Sequence, residues 1–388
     1  MLDLTTSAAA AFSLDADQIA VRDMARAFAD EVFAPNAIAW DEGKHFPVAE
    51  MRKAAALGMG GVFIAEDVGG SGLSRLTASV IFEALATGCP TVAAYMSIHN
   101  MTSWLIDAFG SDAQRKYWLP KLCTMELLAS YCLTEPGAGS DAAALTTRAV
   151  PDGDHYVLNG QKQFISGAGA GGLYVVMART GGEGASGISA FLVPGDTPGL
   201  SFGANERKMG WNAQPTRAVL FEDARVPAGN RLGPEGAGFK IAMAGLDGGR
   251  LNIAACSVGG AQSAFERTLA YMKERKAFGK RLDEFQALQF RLADMATALE
   301  ASRALLWRAA AAFDRKDANA TQLSAMAKRF VTDACFDVAN QALQLHGGYG
   351  YLSEYGIEKI VRDLRVHQIL EGSNEIMRLI VARSLVGR

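Results

Sequence analysis

HYVLNGQKQFIS, residues 155–166, combines two short runs of strand-forming residues around Asn159-Gly160. An Asn-Gly pair suits the type I′ turn of a tight β-hairpin, so this stretch predicts a hairpin. Three more runs rich in β-branched or aromatic residues follow, each bounded by Gly, Pro, Asp or Asn. They are LYVVMAR (173–179), GISAFLVP (187–194) and TRAVLFEDARVP (216–227). We therefore predict a middle β domain over residues 128–234.

Helical periodicity flanks this β segment on both sides. From Asp15 to Val32 the apolar residues fall on one helical face, and Pro35 ends the segment. The other predicted N-terminal helices are 48–57, 76–86 and 113–122. Long Ala-rich segments nearly free of Pro predict a C-terminal helix bundle, with helices over 238–276, 284–316, 321–345 and 375–386. The predicted fold class is α+β, with a helical domain at 1–127, the β domain at 128–234 and the bundle at 235–388.

Composition and charge narrow the possible partners. A chain of 388 residues that is 49% hydrophobic can bury the cores of two or three packed domains. With 38 Lys and Arg against 41 Asp and Glu, the net charge of -3 gives no broad positive field for nucleic acid or an anionic membrane. No apolar run reaches the roughly 18 residues that suggest a membrane span. We expect neither nucleic acid nor a membrane as a partner.

The five cysteines are odd in number and widely separated, with no CxxC pair. This pattern predicts reduced, partly buried thiols in a reducing compartment and argues against a metal site. The N-terminal segment has no basic lead-in. A cytoplasmic location is the default expectation, or the mitochondrial matrix if a transit peptide has been removed.

LTEPGAGSD, residues 133–141, follows a predicted strand and offers closely spaced backbone N–H groups and hydroxyls. Such a loop can bind an anion or a flat polar ring. It lacks the Lys-Ser/Thr ending of a phosphate-binding Walker loop and the spacing of a dinucleotide fingerprint. A plain Gly-rich turn capped by Thr134 and Ser140 stays an open alternative.

HQILEGSNEIMRLIVAR, residues 367–383, holds Glu371 between an apolar pair and Gly372, before a helix predicted to be capped by Ser373 or Asn374. Partial desolvation of a carboxylate raises its pKa and makes it a stronger base, which suits removal of a weakly acidic C–H proton. The alternative is a surface glutamate favoured by the following helix N-terminus.

In LDGGRLN, residues 246–252, two glycines precede Arg250 inside a predicted helix. Each mid-helix Gly costs roughly 1 kcal/mol relative to Ala, so another group is expected to approach that backbone closely. A helix kink with Arg250 in a salt bridge is the alternative. In QLHGGYGY, residues 344–351, His346 is given a structural role and no part in proton transfer.

Several of these segments together resemble the acyl-CoA dehydrogenase family, in the same order and over nearly the whole chain. They are YCLTEPGAGSD (131–141), QFISGAG (163–169), ERKAFGKRL (274–282), QLHGGYGY (344–351) and LEGSNEIMRLIVAR (370–383). The resemblance implies the fold of that family, which has an N-terminal helical domain, a middle β domain and a C-terminal four-helix bundle. This agrees with the fold predicted from periodicity.

The resemblance also implies FAD as the cofactor, shared between two chains of a homotetramer that is a dimer of dimers. The cofactor contacts expected from one chain are Tyr131, Leu133, Thr134, Gly139, Ser140, Phe164, Ile165, Ser166, Ser373 and Glu375. Those expected from the neighbouring subunit are Arg275, Phe285, Gln286, Gln344, Gly347 and Gly348. Phe278 is a further expected cofactor contact. Arg275 can pair with the pyrophosphate as a bidentate cation.

By the same resemblance, Glu371 takes the α proton of an acyl-CoA thioester and flavin N5 takes the β hydride, giving a 2-enoyl-CoA. The thioester carbonyl is expected to bond a backbone N–H beside the base and a cofactor hydroxyl. The expected substrate contacts are Ser140, Asp247, Gly248, Gly249, Arg250, Leu370, Gly372 and Arg383.

Details of the motifs narrow the acyl group. The isovaleryl and long-chain branches of the family have their base immediately before the arginine equivalent to Arg250, where this chain has Gly249. Phe164, Ser166 and Leu370 stand where many members have Trp, Thr and Tyr. This combination resembles the branch of valine breakdown that converts isobutyryl-CoA to methacrylyl-CoA. Use of 2-methylbutyryl-CoA or butyryl-CoA remains an alternative.

Two rival functions stay open. An acyl-CoA oxidase would share the flavin and base, but those enzymes usually carry a further C-terminal domain. A non-catalytic or DNA-binding relative would favour a basic face and could lose the base, whereas this chain has a net charge of -3 and retains LEGSNE. For a dehydrogenase, the resemblance implies electron-transferring flavoprotein as the electron acceptor.

Overall fold

A computed structural model describes residues 14–387, and its N-terminal part is helical. The helices are α1 (Ala16–Phe28), α2 (Ala37–Glu42), α3 (Val48–Ala56), α4 (Arg75–Gly88), α5 (Pro90–Phe109) and α6 (Asp112–Cys123). Asp15 and Gln18 form a capping box at the start of α1, and Ser111 and Gln114 form one at α6. A π-helical turn over Ala29–Phe33 extends α1 to just before Pro35.

Helix α5 was not predicted, although it is 20 residues long and central to the fold. Most of its residues are buried, including the polar ones, so it shows no alternation between an apolar and a polar face. Its polar side chains bond to neighbouring backbone. Asn100 Oδ1 accepts from the N–H of Val62 at 2.7 Å, and His99 Nδ1 accepts from the N–H of Ala129 at 3.0 Å. Helix α5 therefore joins the helical region to the start of the sheet.

The middle region is an eight-stranded sheet in the order β6-β7-β3-β2-β4-β5-β8, with β1 paired in parallel to β4. The strands are β1 (Ala129–Cys132), β2 (Arg148–Asp152), β3 (His155–Ser166), β4 (Leu173–Arg179), β5 (Ile188–Pro194), β6 (Leu200–Phe202), β7 (Thr216–Pro227) and β8 (Arg231–Leu232). Aromatic side chains such as Tyr174, Phe191 and Phe221 fill a core of its own.

The hairpin predicted at Asn159-Gly160 is wrong. Residues 155–166 form one continuous strand that pairs with β7 along its length, with a register shift between Leu158 and Gly160. Gly160 has φ +142°, and a methyl group there would lie 2.6 Å from Thr147 Oγ1, so the glycine serves a bulge and a close strand approach. The true turn lies at Gly153-Asp154, between β2 and β3.

The C-terminal region is built around one long helix. Its elements are α7 (Gly238–Glu274), the two-stranded ribbon β9 (Lys276–Ala277) and β10 (Lys280–Arg281), α8 (Gln286–Asp314), α9 (Ala320–Leu345), α10 (Ile357–Arg365) and α11 (Asn374–Leu385). Helix α7 packs against α4, α5, α8 and α9. The short helix α10 was not predicted. None of the helices within residues 14–387 is long and apolar enough to cross a membrane.

A buried carboxylate joins the three regions. Asp363 of α10 accepts from Trp211 N at 2.7 Å, from Thr91 Oγ1 at 2.8 Å and from Lys359 Nζ at 2.6 Å. Both partners of the Asp363–Lys359 pair are almost fully buried, so each depends on the other for its charge. The helical regions and the sheet thus pack as one body, which fixes the loop after α10. The boundaries at residues 127 and 234 stay a proposal.

Candidate active site

Glu371 lies in the turn between α10 and α11, in an unusual backbone conformation. It has φ +57° and the next residue, Gly372, has φ +90°. A left-handed non-glycine residue of this kind is strained, and such strain is enriched at active sites and ligand clamps. Oε2 of Glu371 is buried without a hydrogen-bond partner among the described residues. Burial raises the pKa of Glu371 to about 7, against the opposing effect of Arg250 and Lys328.

Glu371 lies directly on the backbone of α7. A methyl group at Gly249 would be 2.4 Å from Oε2 of Glu371 and 2.6 Å from Sδ of Met101. The close approach that the two mid-helix glycines predicted is therefore present at Gly249. Gly248 faces a different group, because a methyl group there would lie 2.7 Å from Nη1 of the buried Arg75. The carboxylate fills the space that a side chain at Gly249 would need.

Arg250 connects the turn to α7. Its side chain is buried, with Nη1 2.6 Å from Oδ1 of Asp247 and Nε 3.4 Å from the carbonyl oxygen of Glu371. Asp247 Oδ2 also accepts from Thr321 Oγ1 at 2.7 Å, so the pair is tied to the start of α9. Arg250 therefore forms the salt bridge that was the alternative interpretation of this segment. It also lies beside Glu371, the candidate base.

Tyr131 brings the sheet to the same place. Its hydroxyl donates to the carbonyl of Ala242 on α7 at 3.2 Å. Burial raises the pKa of Tyr131 well above its usual value, and the nearby charge of Glu371 raises it further. The end of β1, where the loop 133–141 begins, therefore lies close to Glu371.

A buried ion pair that the sequence did not reveal supports the loop 133–141. Lys162 Nζ is 2.8 Å from Oε1 of Glu135 and 3.1 Å from the carbonyl oxygen of Leu133. Glu135 also accepts from the N–H groups of Thr146 and Thr147, at 2.6 and 2.9 Å. Burial alone would raise the pKa of Glu135, but these partners lower it to about 2. In the sequence, this ion pair was indicated only by the place of Lys162 at an inward-facing position of β3.

The opposite side of this loop is open. Methyl groups built at Gly137 and Gly139 would meet nothing within 4 Å, and Ser140 is exposed. Thr134 is fixed through its carbonyl, which accepts from Gln163 N at 2.8 Å. The loop therefore combines a rigid base with free backbone, as a ligand cradle needs.

The segment 164–166 lies just beyond, where the register of β3 shifts against β7. Phe164 has φ +60° and a side chain 64% exposed, whereas Ile165 is buried in the sheet core. The carbonyl of Ser166 accepts from Ser130 Oγ at 2.8 Å. Phe164 is thus turned out of the sheet on a fixed backbone.

A second set of predicted residues faces outward elsewhere on the chain. Arg275, Gln344, Gly347 and Gly348 line a cavity of about 520 Å³, and Phe278, on the turn between β9 and β10, is 97% exposed. Phe285 and Gln286 lie at the start of α8. None of residues 131–140 lines this cavity. The separation into two sets is what a cofactor shared by two chains would require.

The remaining predicted residues lie on or beside α11. Leu370 is partly buried against the core, and Arg383 and Glu375 are exposed on the helix. Ser373 occupies the N-cap position without a side-chain capping bond. Asn374 begins the helix, but its side chain points to α9. Sequence reasoning also missed Lys328 of α9, which donates to the carbonyl of Gly372 at 2.7 Å.

Comparison with known proteins gives matches over nearly the whole chain. Models of the acyl-CoA dehydrogenase N-terminal, middle and C-terminal domains match residues 15–126, 130–224 and 236–386. The chain is 57% identical to mitochondrial isobutyryl-CoA dehydrogenases of Bos taurus and Dictyostelium discoideum, over 96% of its length and 90% of theirs. The structure of butyryl-CoA dehydrogenase from Megasphaera elsdenii is similar with a TM-score of 0.94 at 37% identity, covering 97% of this chain and 99% of that one.

The raised pKa of Glu371 predicts a pH-dependent stability difference between wild type and Glu371→Gln. Because the pKa rises on folding from 4.5 to about 7, folding takes up a proton in that window, and stability falls there as the pH rises. Gln cannot ionise, so the variant should gain stability relative to wild type between pH 5 and pH 7.5. The gain should be at most on the order of 3 kcal/mol.

Denaturation by urea at the two pH values measures this difference. Glu222→Gln, at an exposed position of β7, is the control and should show no such gain. An equal effect of both substitutions would mean that Glu371 is not desolvated.

Proposed function

The chain belongs to the acyl-CoA dehydrogenase family, and from this we propose that it oxidises a short branched acyl-CoA, isobutyryl-CoA, to methacrylyl-CoA. The observation that carries the proposal is the state of the Glu371 carboxyl group. Its Oε2 is buried without a hydrogen-bond partner among the described residues, its pKa is raised, and it lies against the backbone of α7 at Gly249. The 57% identity to two isobutyryl-CoA dehydrogenases supports the choice of acyl group.

Glu371 acts as the base of this reaction. No group within residues 14–387 donates to its Oε2, and its pKa of about 7 makes it a stronger base than an exposed glutamate. After transfer the proton stays on the carboxyl group, whose neutral form suits the buried site. The bond from the α carbon to hydrogen breaks to give this proton, and the electron pair left behind forms the α,β double bond.

The backbone beside the base supports the thioester. No acceptor within residues 14–387 bonds to the N–H of Glu371, so this donor is free for the thioester carbonyl oxygen as enolate character develops. Arg250 donates to the carbonyl of Glu371, and Lys328 donates to the carbonyl of the next residue, Gly372. The donor is thereby held in a fixed direction.

The residues near Glu371 fit FAD, the cofactor on which the family depends. The open glycine backbone at 137 and 139 and the exposed Ser140 offer donors without a steric barrier, and Phe164 is turned outward beside them. When bound, FAD supplies the two-electron acceptor for the β hydride. Arg275, in the cavity with Gly347 and Gly348, would neutralise the pyrophosphate of a cofactor held mainly by another chain. The separation of this cavity from residues 131–140 supports a cofactor shared by two chains, as within the proposed homotetramer.

Two features of the acyl end favour a short, branched group. Leu370 precedes the base where a tyrosine would be larger, and Met101 of α5 lies beside the carboxylate and closes the space over Gly249. The CoA part would then pass Ser140, Gly372 and the α7 segment 247–250 toward Arg383. Leu370 leaves room for the α methyl group.

Electron-transferring flavoprotein is the proposed acceptor for the reduced cofactor. Its support is the family membership of the chain. The five thiols are all buried and unpaired, as a reducing compartment such as the cytoplasm or the mitochondrial matrix would maintain them.

An anaerobic absorbance titration with isobutyryl-CoA tests the reaction and its base together. Wild type should bleach its flavin rapidly, and Glu371→Gln should do so on the order of 10² to 10⁴ times more slowly, because the base is missing. If both bleach alike, Glu371 is not the base. Bound FAD that wild type does not bleach would reject this substrate, and protein without flavin would favour a non-catalytic relative.

Leu370→Tyr tests the acyl pocket. Filling the space beside the base should lower kcat/KM for isobutyryl-CoA relative to butyryl-CoA, by about tenfold or more. Leu57→Tyr, at an exposed position after α3, is the control. An unchanged ratio in Leu370→Tyr would remove this residue from substrate selection.

A further inference from the structure

Lys328 of α9 is a buried cation that binds the turn between α10 and α11, which carries Glu371. Its side chain is fully buried. Nζ donates to the carbonyl of Gly372 at 2.7 Å and to Oδ1 of Asn374 at 2.9 Å. The two acceptors lie on either side of Ser373, so one ammonium group closes the turn that carries Glu371.

The same face of α9 holds the turn at a second point. Asn374 is buried, and its Nδ2 donates to Thr332 Oγ1 at 3.0 Å and to Asp333 Oδ1 at 2.7 Å. Thr332 lies one helical turn after Lys328 and donates back to its carbonyl at 2.8 Å. Helix α9 therefore holds residues 372–374 mainly through its side chains, with one longer bond of 3.4 Å from Asn374 Nδ2 to the Arg329 carbonyl.

The turn needs these hydrogen bonds to α9 because its conformation is strained. Glu371 and Gly372 are consecutive residues with positive φ, and for the non-glycine Glu371 this conformation is unfavourable. Surrounding contacts must offset that strain. Among the described residues, the one hydrogen bond from α7 to this turn is the long 3.4 Å bond from Arg250 to the Glu371 carbonyl. The shorter bonds come from Lys328.

Charged and titratable groups from several elements face Lys328 and Glu371. They are Arg250 of α7, Tyr131 of β1, Asp333 of α9, His367 before the turn and Glu375 of α11. Burial lowers the pKa of Lys328 to about 8 while Glu371 opposes the shift, so the group is mostly charged at neutral pH. Its charge in turn limits how far the pKa of Glu371 rises.

We propose that Lys328 is a positioning residue for proton abstraction, which clamps the Glu371–Gly372 turn to α9 and so keeps the carboxylate on Gly249. It does not touch the reacting atoms. Its role rests on the proposed function, because the position of Glu371 matters only if Glu371 is the base.

Lys328→Gln and Lys328→Arg separate this role from simple support of the fold. Gln loses the charge but keeps a polar group of moderate length, so the protein should fold and retain flavin. The limiting rate of flavin reduction by isobutyryl-CoA should fall about ten- to a hundredfold, as expected for a misplaced catalytic group. The midpoint of the rate against pH should rise by about 1 unit, because a cation near the carboxylate is gone. Lys328→Arg keeps the charge and should restore the wild-type midpoint.

Lys53→Gln, at an exposed position of α3, is the control for loss of one positive charge and should match wild type. A wild-type rate and midpoint in Lys328→Gln would overturn the proposal. So would a rate that falls only in proportion to lost flavin, with an unchanged midpoint.

Hydrogen–deuterium exchange of residues 366–376 gives a test that needs no turnover. Exchange there should be faster in Lys328→Gln than in wild type and the control, and equal exchange would contradict the clamp. If wild type itself does not reduce its flavin, the proposed reaction fails, whereas the exchange result still decides whether Lys328 clamps the turn.

Discussion

The active site depends on one contact, in which the carboxyl group of Glu371 lies against the bare backbone of α7 at Gly249. Two glycines inside a helix cost roughly 1 kcal/mol each, and a desolvated carboxylate without a donor is costly as well. The fold offsets these costs elsewhere. Arg250 and Lys328 bond the turn from α7 and α9, and the Asp363 cluster fixes α10, which leads into it. Under the proposed function, Glu371 is a strong base because the protein leaves its carboxyl group poorly solvated.

Under the proposed function, this contact accounts for the two base positions that the family resemblance implies. The space beside Arg250 holds one carboxylate, which can be attached to α7 or delivered by the turn before α11. In this chain the turn delivers it, and a side chain at Gly249 would occupy the same volume.

The sequence predicted the fold class and the long helices well, because their faces differ in polarity or their composition favours helix. It failed where burial removes that contrast. Helix α5 is buried on nearly all sides, so its polar residues looked irregular although each bonds internally. The Asn159-Gly160 hairpin prediction was wrong because Gly160 allows a close approach to Thr147, and the Gly153-Asp154 turn between β2 and β3 was not predicted.

The candidate site was predictable in its motifs and less so in its supports. Glu371 was predicted as the base through the family resemblance, since its apolar neighbours and Gly372 alone also fitted a surface glutamate. The paired glycines before Arg250 predicted a close approach that the structure contains. Lys162, Glu135 and Lys328 could not be distinguished from surface charges, because their burial comes from long-range packing of strands and helices.

The most direct measurement is stopped-flow reduction of the flavin by isobutyryl-CoA in Gly249→Ala. The rate should fall about ten- to a hundredfold with flavin content unchanged, because the methyl group displaces the carboxylate. A wild-type rate would contradict the seating of Glu371 on α7.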